Sequence, residues 1–472
     1  MKKILSLFIL LWLPVVAVWS AEAGAAERDT LQISLDEFIQ RGIENADQID
    51  FERKKIQLAE LDVAKAKDQR FLPKIELSTQ HGLIPGVESD STLPNGRKLP
   101  KDEFYLDPNL ENNWEDWAIF TRAEVQAIQP IFTWGAIDNA IKAARAGAQA
   151  AREEFSRQKA DARLRLFELY YSHIMIMEVE RLLDNASSQI EKIEEKIDEL
   201  EKDKDSELDQ SDIYKFRVYK SRFKIRAAEV KMEGSFVRRT WDEVLQTSDS
   251  VTFEPSDRFL DPIPAKIREV QYYKRHALDS RNEIQRIEAG IRAAKYGMEA
   301  QRAQALPSLF LGLTASYANT PNRPRQDNPF IINNTNYASA GFGLAIRQNL
   351  NINGILNEVE KREVQYQQAR SLKKAAKEGI AIEINEKYKQ ASLSKVKMEY
   401  TDEALLTSKK WLRQEQLDYD LGMGEVKDLI ESLKNKLELE VDMKRRIYQF
   451  NKDMAELYHT AGIPLMNIQD GS

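Results

Sequence analysis

The stretches "GIENADQI", residues 42–49, and "ALDSRNEI", residues 277–284, open the same program of residues twice and so decide the fold. Each leads into a helix-compatible segment that ends in Leu-Pro, at Leu72-Pro73 and at Leu306-Pro307. The copies are offset by 235 residues at the first landmark and 234 at the second, which an internal duplication explains. Proline stops each helix, because its ring removes a donor and pushes the preceding residue toward extended backbone. The first helix is expected to start at a capping box, Ser34 with Glu37, and to run through Ile49, Ile56, Ala59 and Val63.

Beyond each proline the hydrophobic period changes from about 3.6 to 2. In the first copy Ile75, Leu77, Thr79, His81 and Leu83 alternate with Lys74, Glu76, Ser78 and Gln80, and after a polar loop Trp117, Ile119, Thr121, Ala123 and Val125 alternate with Phe120, Arg122, Glu124 and Gln126. In the second, Leu309, Leu311, Leu313, Ala315 and Tyr317 share a face, as do Ala338, Ala340, Phe342, Leu344 and Ile346. The pattern predicts two β-hairpins with strands of roughly ten residues, the length a tilted transmembrane strand needs. A soluble half-buried sheet has the same alternation, and the pattern alone leaves both open. Four strands cannot close a barrel, so these sheets must bury their edges or pair them with other subunits. Trp114, Trp117, Trp134 and Tyr337 would suit an interfacial girdle.

A glycine follows each hairpin, Gly135 and Gly354, and then a long proline-free segment begins. Residues 136 to about 203 would span on the order of 100 Å as a helix. Ile193, Ile197 and Leu200 among Glu and Lys give coiled-coil patterning. Each rod is expected to reverse, near 205–211 and near 418–424, and to return as a second helix.

The N-terminus, "MKKILSLFILLWLPVVAVWSAEA", has the n-, h- and c-regions of a secretory signal, so residues 1–23 are expected to be removed on export. The expected organisation is a first repeat at 24–245 with a β-hairpin at about 74–132 and a helical hairpin at about 136–245. A linker or equatorial segment at 246–267 follows, then a second repeat at 268–463 with corresponding parts at about 308–350 and 355–460, and a tail at 464–472. The 472 residues contain no cysteine, which excludes disulfides and thiolate metal sites. The four histidines, His81, His173, His276 and His459, have no metal-ligand or triad spacing. A net charge of -7 with charged residues at 31% gives no nucleic-acid footprint. Neither a nucleophile beside a base nor a phosphate loop is present, so no catalytic residue, metal or cofactor is assigned.

The stretch "LGMGEVKDLIESL", residues 421–433, puts two glycines and three acids at a helix entrance. It lacks the strand before it and the Gly-Lys-Ser/Thr after it that phosphate loops need. A tight interhelical turn with a solvated acidic face is the plain reading.

In order and spacing these features resemble the TolC-type outer-membrane channels of tripartite efflux and type I secretion systems, the outer-membrane efflux protein family. The resemblance covers nearly the whole chain after the signal. It implies a mainly α fold with a small β part: duplicated long coiled-coil hairpins plus two β-hairpins per subunit. A homotrimer then forms a 12-stranded outer-membrane β-barrel continued by a periplasmic α-helical tunnel. The implied partners are outer-membrane lipid, a periplasmic adaptor (membrane fusion protein) and an inner-membrane pump of RND, ABC or MFS type, with no nucleic acid. The implied function is a passive exit duct gated at its periplasmic tip. The alternative is a periplasmic coiled-coil adaptor or scaffold without a channel.

Carried over residue by residue, the resemblance makes Leu421, Gly422 and Gly424 the tip turn where the adaptor docks. Ser206, Leu208 and Asp212 belong to the first-copy tip, although Ser206 stands where the family usually has glycine. Asp428 and Glu431 match the acids that narrow the entrance, and three copies would form an acidic ring that binds cations. Trp117, Ile119, Val125, Leu309, Leu311, Leu313, Phe342, Leu344 and Ile346 would face lipid, and Pro73, Gly135, Pro307 and Gly354 would mark the strand–helix junctions.

Overall fold

The computed structural model describes residues 29–202, 210–247, 251–325, 328, 330–421 and 423–465. The signal sequence, Ser206, Leu208, Gly422 and most of the tail lie outside these residues.

The chain begins with β1 (Asp29–Ile33), α1 (Leu35–Glu44) and α2 (Asp47–Phe71). Ser34 caps α1 by accepting from the Glu37 amide at 3.3 Å, as the capping box predicts. The single helix expected here is two, broken at Asn45 and Ala46. Ala46 takes up extended backbone and the Asn45 side chain donates to the Val244 carbonyl at 3.3 Å, so a tertiary bond replaces helix continuation. The second copy breaks likewise at Arg281, between α5 (Val270–Ser280) and α6 (Asn282–Gln304). There Arg281 bridges Glu383 at 2.7 Å and Glu283 at 3.2 Å.

The hairpins are β2 (Lys74–Glu88) with β3 (Glu111–Phe132), and β5 (Ser308–Asn319) with β6 (Tyr337–Arg347). At 15 and 22 residues, β2 and β3 exceed the ten expected, because they keep pairing past a register shift at Pro85/Gly86 and carry the hairpin beyond the apolar band. The four strands form one antiparallel sheet in the order β2-β3-β5-β6.

Two helical hairpins follow the strands: α3 (Ala136–Lys202) with α4 (Gln210–Leu245), and α7 (Ile352–Asp420) with α8 (Val426–Thr460). At 67 and 69 residues, α3 and α7 are each about 100 Å long at 1.5 Å per residue. Gly135 has φ +81 and Trp134 φ 53, so this strand–helix junction requires left-handed backbone. Gly354 does not. It lies in the first turn of α7, where a Cβ would sit 2.6 Å from the Asn351 side-chain nitrogen, and Asn351 caps the helix by accepting from the Gly354 amide. The junctions of the two copies meet where the Trp134 indole donates to the Pro307 carbonyl at 2.7 Å.

The segment between the copies is no free spacer. Its strand β4 (Val251–Pro255) pairs in parallel with β1, and residues beyond it are strapped to the core. Leu260 N donates to Glu178 Oε2 at 2.9 Å, and Glu178 also holds Lys444 at 2.6 Å. Asn451 accepts from Ile263 N and donates to the Asp261 carbonyl, both at 2.9 Å. These bonds satisfy buried polar groups that would otherwise destabilise the fold.

The main core gathers at this waist, around Phe38, Phe167, Tyr170, Trp241, Leu260, Tyr273, Ile384 and Met454. Trp241 stacks on Phe38 with ring centroids 4.1 Å apart and on Tyr170 at 5.6 Å. His173 stands edge-on to Trp241 at 4.5 Å, and its Nδ1 is buried without a partner among the described residues. Burial, reinforced by the Arg238 charge, pushes His173 down to about 4, so it is a neutral packing residue at pH 7.

Candidate functional site

The two ends of the molecule differ in chemistry, and each carries residues expected to function. At the sheet end, the register decides which side chains share a face. Ile75 pairs with Ala127, which pairs with Leu313, which pairs with Phe342. Leu77, Val125, Ala315 and Ala340 form the next row on that side, and Gln129, Leu311 and Leu344 another. Trp117, Ile119, Leu309 and Ile346 fall on the same face by the same alternation. That face is open: Leu77 is 65% exposed and Phe342 85%.

The other face is polar. Arg122 donates to the Tyr337 hydroxyl at 2.7 and 3.0 Å, and Ser316 bonds Ser339 at 3.0 Å. Tyr337 is therefore excluded from a girdle on the apolar face, because its register with Ala318 and Arg122 turns it to the polar side. Trp114 and Trp117 pack together at the loop end of the sheet, with centroids 5.9 Å apart. Trp134 packs on Phe132 at 5.0 Å at the opposite, helix end.

At the far end of the helical hairpins, α7 terminates at Leu421 and the chain doubles back at once. The amides of Met423 and Gly424 both donate to the Asp418 carbonyl at 2.9 Å. A Cβ on Gly424 would sit 2.8 Å from Tyr419 N and 3.0 Å from the Asp418 carbonyl carbon. Close approach of two backbones, and not a left-handed φ, is what demands glycine here. Gly424→Ala is accordingly expected to open the turn at a cost of about 1–3 kcal/mol. Hydrogen exchange of the Met423 and residue-424 amides should quicken by about tenfold while the waist keeps its protection. Unchanged exchange at both amides would show that the turn absorbs the methyl.

Asp428 lies half-buried in the first turn of α8, where the helix dipole favours a carboxylate, and Glu431 is exposed one turn later. At 100° per residue the two stand about 60° apart around the helix. Leu429, next along the chain from Asp428 and turned about 100° away from it, packs with Leu433 and Leu437 on Ala186 and Leu412 and fixes the orientation of α8. The first-copy tip shares this core, since Ile213 and Phe216 of α4 join Ile190 and Ile197 of α3 with Val426 and Ile430 against them. Asp212 belongs to the opening turn of α4.

Glu431 faces a cleft of about 1160 Å³ between α4 and α8, with Leu183 of α3 among its lining residues. Tyr214, Phe216, Tyr219 and Phe223 line the α4 side, and Lys427, Lys434, Glu438 and Arg445 the α8 side. Burial, followed by the Glu438 charge, pushes the Tyr219 hydroxyl up to about 12, so it stays protonated. The sequence held a signal for this cleft in the basic and aromatic residues of α4 at spacings of four and three, but its two walls come from different repeats. Among the described residues no group of side chains could hold a metal ion.

Residues 275–433 match the outer membrane efflux protein family, over the second repeat from α5 to the start of α8. The outer membrane channel CmeC of Campylobacter jejuni superposes with a TM-score of 0.68 at 13% identity, covering 91% of this chain and 85% of that one. The outer membrane channel MtrE of Neisseria gonorrhoeae, in its open state, gives 0.69 at 12% identity, with 91% and 89% covered. The fold is that of the TolC-type outer-membrane channels. VceC, an outer membrane protein of Vibrio cholerae, gives 0.64 at 15% identity over 91% of this chain and 96% of that one. No curated protein sequence matches the chain. The likeness in fold thus spans both repeats, whereas the family match in sequence is confined to the second.

Proposed function

We propose that the protein is the outer-membrane exit duct of a tripartite export machine, conducting substrates passively from a periplasmic adaptor and an inner-membrane pump to the outside. The observation that carries this reading is the open sheet. Its four strands leave the outer edges of β2 and β6 without a partner among the described residues, and one face is apolar and exposed. Such a sheet in water would be an aggregation template. Three copies joined edge to edge give twelve strands, which can close into a barrel in lipid with Arg122, Ser316 and Ser339 turned to the lumen.

From that barrel α3 and α7 reach about 100 Å into the periplasm, and the turn at Leu421 and Gly424 presents itself to the adaptor. The pump is of RND, ABC or MFS type, so the duct serves efflux or type I secretion. Asp428 and Glu431, repeated three times, ring the entrance and narrow it.

Cell fractionation with native mass spectrometry of the extracted protein tests the assembly. The protein is expected in the outer membrane as a trimer. Recovery as a soluble periplasmic monomer contradicts the reading.

A further inference from the structure

The cleft between α4 and α8 holds more positive charge than an acidic entrance requires. Lys215, Arg222 and Arg226 of α4 and Lys427, Lys434 and Arg445 of α8 face Glu431, Glu438 and Asp442. Asp442 is already engaged by Arg446 of its own helix at 3.2 Å. Arg222, Arg226, Lys427, Lys434 and Arg445 have no carboxylate within 4.0 Å among the described residues. Spacings of seven and four on α4, and of seven and eleven on α8, fall within about 40° of whole helical turns, so each set lines one face. Beneath these cations the floor is apolar: Phe216, Leu183, Leu437 and Val441 are buried, and Tyr214 and Val218 form an exposed apolar rim.

Unpaired guanidinium and ammonium groups over an aromatic and aliphatic floor are complementary to one ligand chemistry. An anionic headgroup gains charge-assisted hydrogen bonds, bidentate from arginine, while an apolar body displaces water from the floor. We propose that the cleft binds anionic amphiphiles, with Arg222 and Arg226 holding the headgroup and Tyr214, Phe216 and Tyr219 seating the body. This deepens the duct reading and rests on it for its meaning: Glu431 sits in the same cleft, so the bound amphiphile lies at the entrance and is cargo of the duct.

The test is isothermal titration of decyl sulfate and of decyltrimethylammonium, each below its micelle concentration, into the trimer held in lipid nanodiscs. Heats from empty discs are subtracted. Decyl sulfate is expected to bind at least about tenfold more tightly than the cation of equal chain length, and Arg222→Gln/Arg226→Gln should remove about that tenfold. Arg239→Gln/Lys389→Gln, with the same loss of charge at exposed positions outside the cleft, should leave the affinity unchanged. Equal affinities for the two probes overturn the proposal, as does an anion affinity that Arg222→Gln/Arg226→Gln leaves unmoved, and the cleft is then free to seat a protein partner. Conductance of the same preparation separates the two readings. Binding without conductance sinks the duct and keeps the cleft, whereas conductance without selective binding sinks the cleft alone.

Discussion

Val125→Arg is expected to abolish assembly in the outer membrane, while Gln126→Arg, one residue along the same strand, is expected to be tolerated. Val125 stands between Leu77 and Ala315 in the sheet, midway along an apolar face that runs on β3 from Ile119 to Phe132. An arginine on the lipid side at mid-depth costs about 2–4 kcal/mol per subunit, hence roughly 6–12 kcal/mol for a trimer. Gln126 lies opposite Glu76 and Thr314 on the polar face, where water in the lumen can solvate a new charge. Membrane fractionation and native electrophoresis of both variants check the pair. Equal assembly of the two would mean that the apolar face does not meet lipid.

Trp241→Ala is expected to lower the stability of the waist by about 3–5 kcal/mol, the range for removing a large buried aromatic side chain. Trp241 is 1% exposed and is where α4 meets Phe38 of α1 and Tyr170 and His173 of α3. The cavity cannot collapse easily, because the rings around it are held by other contacts: the Tyr170 hydroxyl lies 3.0 Å from Asp257 Oδ2 and 3.2 Å from the Ile33 carbonyl. Unfolding of such an assembly is read best as a rate, so the check is the half-life of the heated protein against protease. Trp241→Phe should recover most of the loss by keeping a ring on Phe38. A wild-type half-life for Trp241→Ala would show that the stack adds nothing to the unfolding barrier.

Much of the fold was legible because it depends on local rules. Proline after Leu72 and Leu306 ends helices wherever it occurs, and alternation from Ile75 to Leu83 specifies a strand whatever its partner. The long rods follow from the absence of proline after Gly135 and Gly354. What the sequence hid depends on contacts between distant residues. The breaks at Asn45 and Arg281 answer to Val244 and Glu383, some 200 and 100 positions away. The five residues of β4 are too few for alternation to register, and only pairing with β1 makes them a strand. Strands β2 and β3 run long for the same reason, each being extended by its partner.

At the candidate site the turn was legible and its reason was not. Gly424 stands where a turn was expected, but its need is for space beside Tyr419 and Asp418, which no spacing rule reveals. Asp428 and Glu431 lie one helical turn apart on α8 with different surroundings: Asp428 is half-buried in the opening turn, whereas Glu431 lines a basic cleft. That cleft is assembled from residues near 220 and near 435, so a reading along one chain segment meets only half of it.

A duct narrowed at its tip has an electrical signature, which single-channel recording in a planar bilayer reads out. The purified trimer should give discrete, small conductance steps, and Asp428→Ala/Glu431→Ala should raise them by removing up to six carboxylates from one ring. A preparation shown to be trimeric that passes no current, in the wild type and the double variant alike, would rule out the duct.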